Sequence, residues 1–481
     1  MITSSTWRGK RFAVLGLARS GAATVHALVA SGAQVVAWDS DAGRREAFSQ
    51  APPLQERQVN RAPHGSGQAG SLTDLTLGWG GGSPQVQRLG MAPTPNPSPE
   101  GEGLLRFTDL ETIDLAGFDS LVLSPGVPLN THPIAVKARA AGVPIIGDIE
   151  LFAQARAELP PHKVVGITGT NGKSTTTALI KHIVETAGVP TLMGGNIGLP
   201  ILEQVPLAEG GVYVLELSSY QIDLTQTLDC DVAVLLNITP DHLDRYDGFD
   251  GYAASKARLF AMQTPQHDAI VSIFDAPSAA IARSLSARAE HLTKIAPGFC
   301  MDQSRWPSLQ GPHNAQNALA AINACEALGI PNAAIDAGLE SFTGLPHRME
   351  TVATRHGVRF VNDSKATNPE SAAPALAAFD GIHWILGGQS KSASLDACRP
   401  GFGHVRAAYT IGAAGVQFAD LLTGTMPVSY CETLDRAVMA AASAAQPGDT
   451  VLLSPACASF DQFRDFEARG DAFRAAVEAL P

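Results

Sequence analysis

The pattern of apolar and polar positions divides the chain into short buried strands, each released into a loop of glycine and small polar residues. Arg11–Gly16 is an apolar run ending in glycine, and helical spacing follows through Ala30. Gln34–Trp38 reads as a second strand closed by Asp39. Further on, Phe118–Leu123 is a strand, Ser124-Pro-Gly-Val its terminal loop, Pro133–Ala141 a helix, Gly142–Asp148 a short strand and Ile149–Glu158 a helix. Val164–Ile167 is a β-branched strand broken by glycines before helical character resumes over Thr175–Glu185. Gly211–Leu217 and Val232–Leu236 are strands, Tyr252–Met262 is a helix, and another opens at Gly311 and runs to Leu328. Val358–Val361, His383–Leu386 and Thr450–Leu453 complete the set. Buried strands alternating with helices predict an α/β protein with parallel sheets.

Residues 51–103 break this pattern. His64-Gly-Ser-Gly, Gly78-Trp-Gly-Gly-Gly-Ser-Pro and the proline-rich run from Pro93 are turn formers without an apolar period. They are expected to form a disordered surface insertion that leaves catalysis intact.

Composition narrows the function classes. A net charge of −12 offers no basic surplus for a nucleic-acid partner. The six cysteines include no Cys-x-x-Cys pair, and no apolar run is long enough to cross a membrane. A cytoplasmic protein with no membrane partner is expected.

The chemistry concentrates where strands end. Gly169-Thr-Asn-Gly-Lys-Ser-Thr175, between a strand and a helix, is suited to cradle phosphate with backbone N–H groups; Lys173 adds charge and Ser174 or Thr175 a hydroxyl for Mg²⁺. Ile167 stands where the first glycine of the usual pattern would be. Gly16-Leu-Ala-Arg-Ser-Gly21 with Asp39 has the layout of a dinucleotide fingerprint, but Ala18 replaces its middle glycine, which favours a nucleotide of another kind over a nicotinamide. Glu216 ends a buried strand beside the phosphate loop, where a magnesium ligand or simply a solvated acid would sit. His242 alone is open between metal ligand and surface residue, and Lys256 alone is a helix-surface lysine. Asn314 and Asn317 share a helix face, as a pair reading an adenine edge or ribose would. Asn362-Asp-Ser-Lys-Ala-Thr-Asn368, Gly387-Gly-Gln-Ser-Lys391 and Ser454-Pro-Ala-Cys-Ala-Ser459 each follow a strand, and three such loops imply one site.

Together with Gly194-Gly-Asn-Ile-Gly198, Leu217-Ser-Ser-Tyr-Gln221, Asp241-His-Leu-Asp-Arg245, His313-Asn-x-x-Asn317 and Leu345-Pro-His-Arg348, these stretches resemble the Mur ligases from Arg11 to the end, the insertion apart. The two longest C-terminal motifs point to the member that adds D-glutamate to UDP-N-acetylmuramoyl-L-alanine. The resemblance implies three domains: a Rossmann-like UDP-binding domain (1–157), a central P-loop ATPase-type domain (158–343) and a C-terminal Rossmann-like domain (344–481), with a hinge near Pro160 and another near Gly344. It implies a monomer that uses ATP and Mg²⁺ to make an acyl phosphate, which the D-glutamate amine attacks.

By resemblance, Gly169, Thr170, Asn171, Gly172, Lys173, Ser174, Thr175, Asn314, Asn317, Arg348 and Asp363 bind ATP. Lys173, His242, Lys256 and Asn196 serve catalysis, and Ser174, Glu216, His242 and a carbamylated Lys256 hold metal. Leu17, Ala18, Arg19, Ser20, Asp39, Ser124, Pro125 and Gly126 bind the UDP-sugar; Lys365, Thr367, Lys391, Ser459 and Phe466 take D-glutamate. Gln389 departs from the pattern, standing where some members carry an acid.

Overall fold

The computed structural model describes residues 1–50, 103–241, 243–299, 301–390 and 394–480. All of the expected insertion except Gly103, together with His242 and Lys391, lies outside the described residues. The chain forms two compact units, Met1–Ala155 with Pro200–Val205, and Arg156–Leu199 with Pro206–Pro481.

The first unit holds one parallel sheet of β1 (Arg11–Leu15), β2 (Gln34–Trp38), β3 (Leu105–Phe107), β4 (Ser120–Leu123) and β5 (Ile145–Ile146), in the order 3-2-1-4-5. Chain order reverses between β1 and β4, the position where open sheets of this kind bind ligands.

The second unit holds two sheets. β6 (His162–Thr168), β7 (Thr191–Gly195), β8 (Gly211–Glu216), β9 (Val232–Leu235), β10 (Asp268–Ser272) and β11 (Leu292–Ile295) are all parallel, ordered 11-10-9-6-8-7. β12 (Glu350–Arg355), β13 (Val358–Asn362), β14 (Ile382–Gly387), β15 (Val405–Ile411), β16 (Val428–Glu432) and β17 (Thr450–Leu453) are ordered 12-13-17-14-15-16, with only β12 antiparallel. Every residue of β8, β9, β14 and β17 is buried. Helices on both faces bury their alternating residues alike, so these strands read as unbroken apolar runs.

Register sets the functional edge. Ile167 lies opposite Glu216, and Gly195 lies opposite Glu216 from the other side. Asn362 and Ile385 both lie opposite Leu453. The loops that follow these strands therefore emerge together at the carboxyl edge of each sheet.

Boundaries shift for local reasons. The helix expected from Thr175 starts at Lys173, because Gly172 takes a left-handed φ of 86° and turns the chain directly into it. The strand expected over Gly142–Asp148 pairs only at Ile145–Ile146, since Pro144 has no N–H to donate. Gly194 and Gly195, expected in a loop, end β7.

Candidate active site

The phosphate loop leaves β6 at Thr168 and enters the helix Lys173–Thr186. A Cβ on Gly172 would lie 2.3 Å from Asn317 Oδ1, so the loop and the helix Pro312–Ala327 approach closely only because this residue is glycine. Gly172→Ala is expected to raise the KM for ATP about ten- to a hundredfold, since ångström displacements of this kind have that effect. Steady-state kinetics at varied ATP would check it; an unchanged KM contradicts the close packing.

Lys173 folds back so that its Nζ donates to the Thr170 carbonyl at 2.7 Å. Burial pushes its pKa down, partly opposed by Glu216 and Asp241 and reinforced by Arg348. Lys256 is 1% exposed, donates to the Gly169 carbonyl at 3.0 Å and lies 4.5 Å over the Tyr252 ring. It is therefore a buried amine on the floor of the loop rather than the surface lysine its helical setting suggests. Burial, then the charge of Lys173, push it well below the usual lysine range.

Glu216 is buried; Asn196 Nδ2 donates to its Oε1 at 2.9 Å. Its Oε2 is buried with no hydrogen-bond partner among the described residues. A buried carboxylate oxygen in that condition needs a cation or donor from outside. Among the described residues no three His, Cys, Asp or Glu side chains gather as a metal cage. Glu216 Oε2 and the Ser174 hydroxyl thus fit a Mg²⁺ held mostly by phosphate oxygens, which needs few protein ligands.

The third sheet reaches the same loop. Arg348 Nη2 donates to Ser174 Oγ at 2.7 Å. One cavity gathers Asn171, Gly172, Asn314, Asn317, Arg348 and Asp363. Within it Asn317 Nδ2 donates to Asn314 Oδ1 at 3.2 Å, so the two asparagines act as one polar edge. Asp363 accepts from Ser454 Oγ at 2.8 Å and from the Met349 N–H at 3.2 Å, and burial pushes it up to about 7.

Lys365 Nζ sits 3.8 Å over the Phe466 ring, and burial, then Arg348, bring it down to about 8. Ser459 is buried and Thr367 half-buried nearby in sequence to these loops. Arg469, 1% exposed, ties them together: its guanidinium donates to the carbonyls of Ser364 at 2.8 Å, Cys457 at 3.0 Å and Ala458 at 3.3 Å, and to Ser364 Oγ at 3.0 Å. Gln389 pairs through its backbone with Ala458, so its side chain is not what holds it in place.

In the first unit, Asp39 shapes the turn. Its Oδ2 accepts the Leu17 N–H at 2.7 Å and its Oδ1 accepts the Asp41 N–H at 2.9 Å. Burial raises its pKa, but these two bonds and Arg44 outweigh it and hold the carboxyl below the usual range. Ser124 Oγ donates to the Gly16 carbonyl at 3.2 Å, joining the loops after β1 and β4. A cavity beside them is lined by Leu17, Ala18 and Arg19 with His26, Arg44 and Phe48; Ser20, Pro125 and Gly126 are not in its lining.

The sequence matches known proteins along its whole length. The Mur ligase middle domain matches residues 167–306, and the Mur ligase glutamate ligase domain matches 347–457. A UDP-N-acetylmuramoylalanine–D-glutamate ligase of Novosphingobium aromaticivorans is 56% identical over 482 residues, covering 100% of this chain and 97% of the relative. The chain belongs to the Mur ligase family. Similarly named ligases of Sphingopyxis alaskensis and Zymomonas mobilis are 56% and 51% identical, each over 100% of both chains. Among solved structures, a UDP-N-acetylmuramate–alanine ligase from Thermotoga maritima superposes with a TM-score of 0.55 at 14% identity, over 98% of this chain and 99% of that one. That likeness places this Mur ligase in the three-domain α/β fold.

Arg469 and Asn237 escape a reading by sequence motif. Arg469 looks like the other arginines of an amphipathic helix, and Asn237 like a residue of an ordinary strand-end loop. Only their partners reveal them.

Proposed function

We propose that this Mur ligase uses ATP to join D-glutamate to UDP-N-acetylmuramoyl-L-alanine, giving ADP and phosphate, in cytoplasmic synthesis of the peptidoglycan precursor. The observation that carries the reading is the contact of Arg348 with Ser174, by which the glutamate-ligase sheet reaches the phosphate loop. The naming of relatives at 51–56% identity supports D-glutamate as the amino acid. Residues 1–157 would bind the UDP-sugar through the Leu17–Ser20 turn, Asp39 and Ser124–Gly126; residues 158–343 would bind ATP, and residues 344–481 D-glutamate. Among the described residues no helix is long and apolar enough to cross a membrane. A cytoplasmic monomer acting alone is the simplest form of the proposal.

A carboxylate is a poor electrophile, so its oxygen must first take the γ-phosphoryl group. Lys173 and Arg348 place two cations where charge accumulates on that group. Mg²⁺, when bound through the phosphates, Ser174 and Glu216, would neutralise further charge. Asn196, held by Glu216, presents its amide to the acyl phosphate. Lys256 would enter as a carbamate: its pKa lies well down, which keeps a nucleophilic neutral amine available to CO₂, and the product is an anion that suits the metal site. His242 and Lys391 complete the family's set of site residues.

Lys365, Thr367, Ser459 and Phe466 would hold D-glutamate, the ammonium of Lys365 pairing with a carboxylate. Because burial brings Lys365 down to about 8, the ammonium is present below that pH and lost above it. The KM for D-glutamate is therefore expected to rise as pH passes about 8. Lys365→Met should show a high KM at every pH; a wild-type-like pH profile in that variant would remove Lys365 from the site.

The reading is tested by phosphate release with ATP, Mg²⁺ and the UDP-sugar peptide against a panel of amino acids. Release that depends on D-glutamate supports it. Dependence on another amino acid would make this a Mur ligase of different specificity.

A further inference from the structure

We infer that Asn237 is a positioning residue of the phosphate loop. It lies just beyond β9 and holds the loop at three points. Its Oδ1 accepts the Asn171 N–H at 2.8 Å, its Nδ2 donates to the Asn171 carbonyl at 3.1 Å, and its own carbonyl accepts the Thr170 N–H at 2.9 Å. The side-chain amide thus pairs with a peptide as two peptides pair in a sheet. That needs one donor and one acceptor, which an aspartate, acceptor-only when ionised, cannot provide.

Asn237 is itself braced from behind. Gln316 Nε2 donates to the carbonyl of the preceding Leu236 at 2.6 Å. The N–H of the following Ile238 donates to Asp275 Oδ2 at 2.9 Å, and Asp275 caps the helix Ala276–Ser284. A fixed backbone therefore presents the amide.

The consequence for nucleotide binding is geometric. The N–H groups of Thr170 and Asn171 both turn toward Asn237, so the N–H groups at the start of the helix, from Gly172 onward, are the ones left to meet phosphate. Lys173 closes on the Thr170 carbonyl, whose peptide is held by the same contact. Asn237 also lines the cavity that holds Asn314 and Asn317. A loop shaped before the nucleotide arrives loses less entropy on binding, and affinity depends on that preorganisation.

The inference deepens the ATP-dependent reading above and rests on it only for the activity assay. Its test compares full-length wild type with Asn237→Ala and Asn237→Asp, by calorimetric titration with ATP and by steady-state kinetics. Loss of the amide pair should raise the dissociation constant and KM for ATP roughly 10- to 100-fold. The KM for D-glutamate should stay within about twofold and the thermal midpoint close to wild type. In Asn237→Asp the ionised second oxygen faces the Asn171 carbonyl, so ATP binding should be weak at high pH. It should recover relative to wild type as pH falls and protonation restores an O–H donor. ATP affinity within about twofold of wild type in both variants would overturn the inference. So would a parallel rise in all KM values with a lowered thermal midpoint, since that is the mark of general destabilisation. If wild type shows no D-glutamate dependence while ATP titrations still follow this pattern, the ligase reading fails and the role of Asn237 stands.

Discussion

Lys173→Met is expected to lower kcat by about a hundred- to a thousandfold, the loss usual when one preorganised group stabilising transition-state charge is removed. The same change should leave the thermal midpoint unchanged or raise it. Lys173 is a half-buried cation whose pKa burial lowers, and Lys256 carries a second amine whose charge it opposes. A charge held partly away from water beside a like charge costs stability, and an apolar chain of similar length removes that cost. Activity and stability therefore move in opposite directions, which separates loss of a catalytic charge from loss of the fold. A kcat within tenfold of wild type would contradict the placement of Lys173 at the transferring phosphoryl group.

Arg469→Leu should have the largest effect on stability, about 3–5 kcal/mol, by analogy with breaking other buried charged networks from one side. The guanidinium supplies four hydrogen bonds, three of them to carbonyls of Ser364, Cys457 and Ala458. Leucine would take this donor from the buried carbonyls of Ser364 and Cys457, while Ala458 would keep the Gln389 N–H. Because Ser364 precedes Lys365 and Ala458 precedes Ser459, any molecules that remain folded should also bind D-glutamate more weakly. Arg469→Lys should recover little, since an ammonium cannot reproduce a planar fork reaching three carbonyls at once. Denaturant unfolding combined with the KM for D-glutamate checks both parts, and a lysine variant as stable as wild type would contradict the clamp.

Physical reasons explain which features were legible in sequence. β6, β8 and β17 lie between helices, so they appear as unbroken apolar runs. Gly172 is conspicuous because a left-handed turn and the close approach of Asn317 both exclude a side chain there. β12 was not legible: its residues are partly buried or exposed throughout, the pattern of an edge strand with little apolar signal. From its own helix alone, Lys256 could not be distinguished from a surface lysine; the resemblance singled it out, and the fold shows that its helix packs under the phosphate loop. Asp39 was legible as an acid at a strand end, but only the fold shows its oxygens engaged by Leu17 and Asp41. Nor does local sequence show that Pro200–Val205, which follows β7 of the second unit, packs with the first, where the Ile2 N–H donates to the Leu202 carbonyl at 2.9 Å.

The central claim is that ATP activates the carboxylate of the UDP-sugar peptide for attack by D-glutamate. Oxygen-18 placed in that carboxylate tests it most directly. The account predicts that turnover with ATP and D-glutamate delivers one labelled oxygen to the released phosphate, with no labelled phosphate when D-glutamate is omitted. Unlabelled phosphate released alongside the ligated product would contradict an acyl-phosphate route.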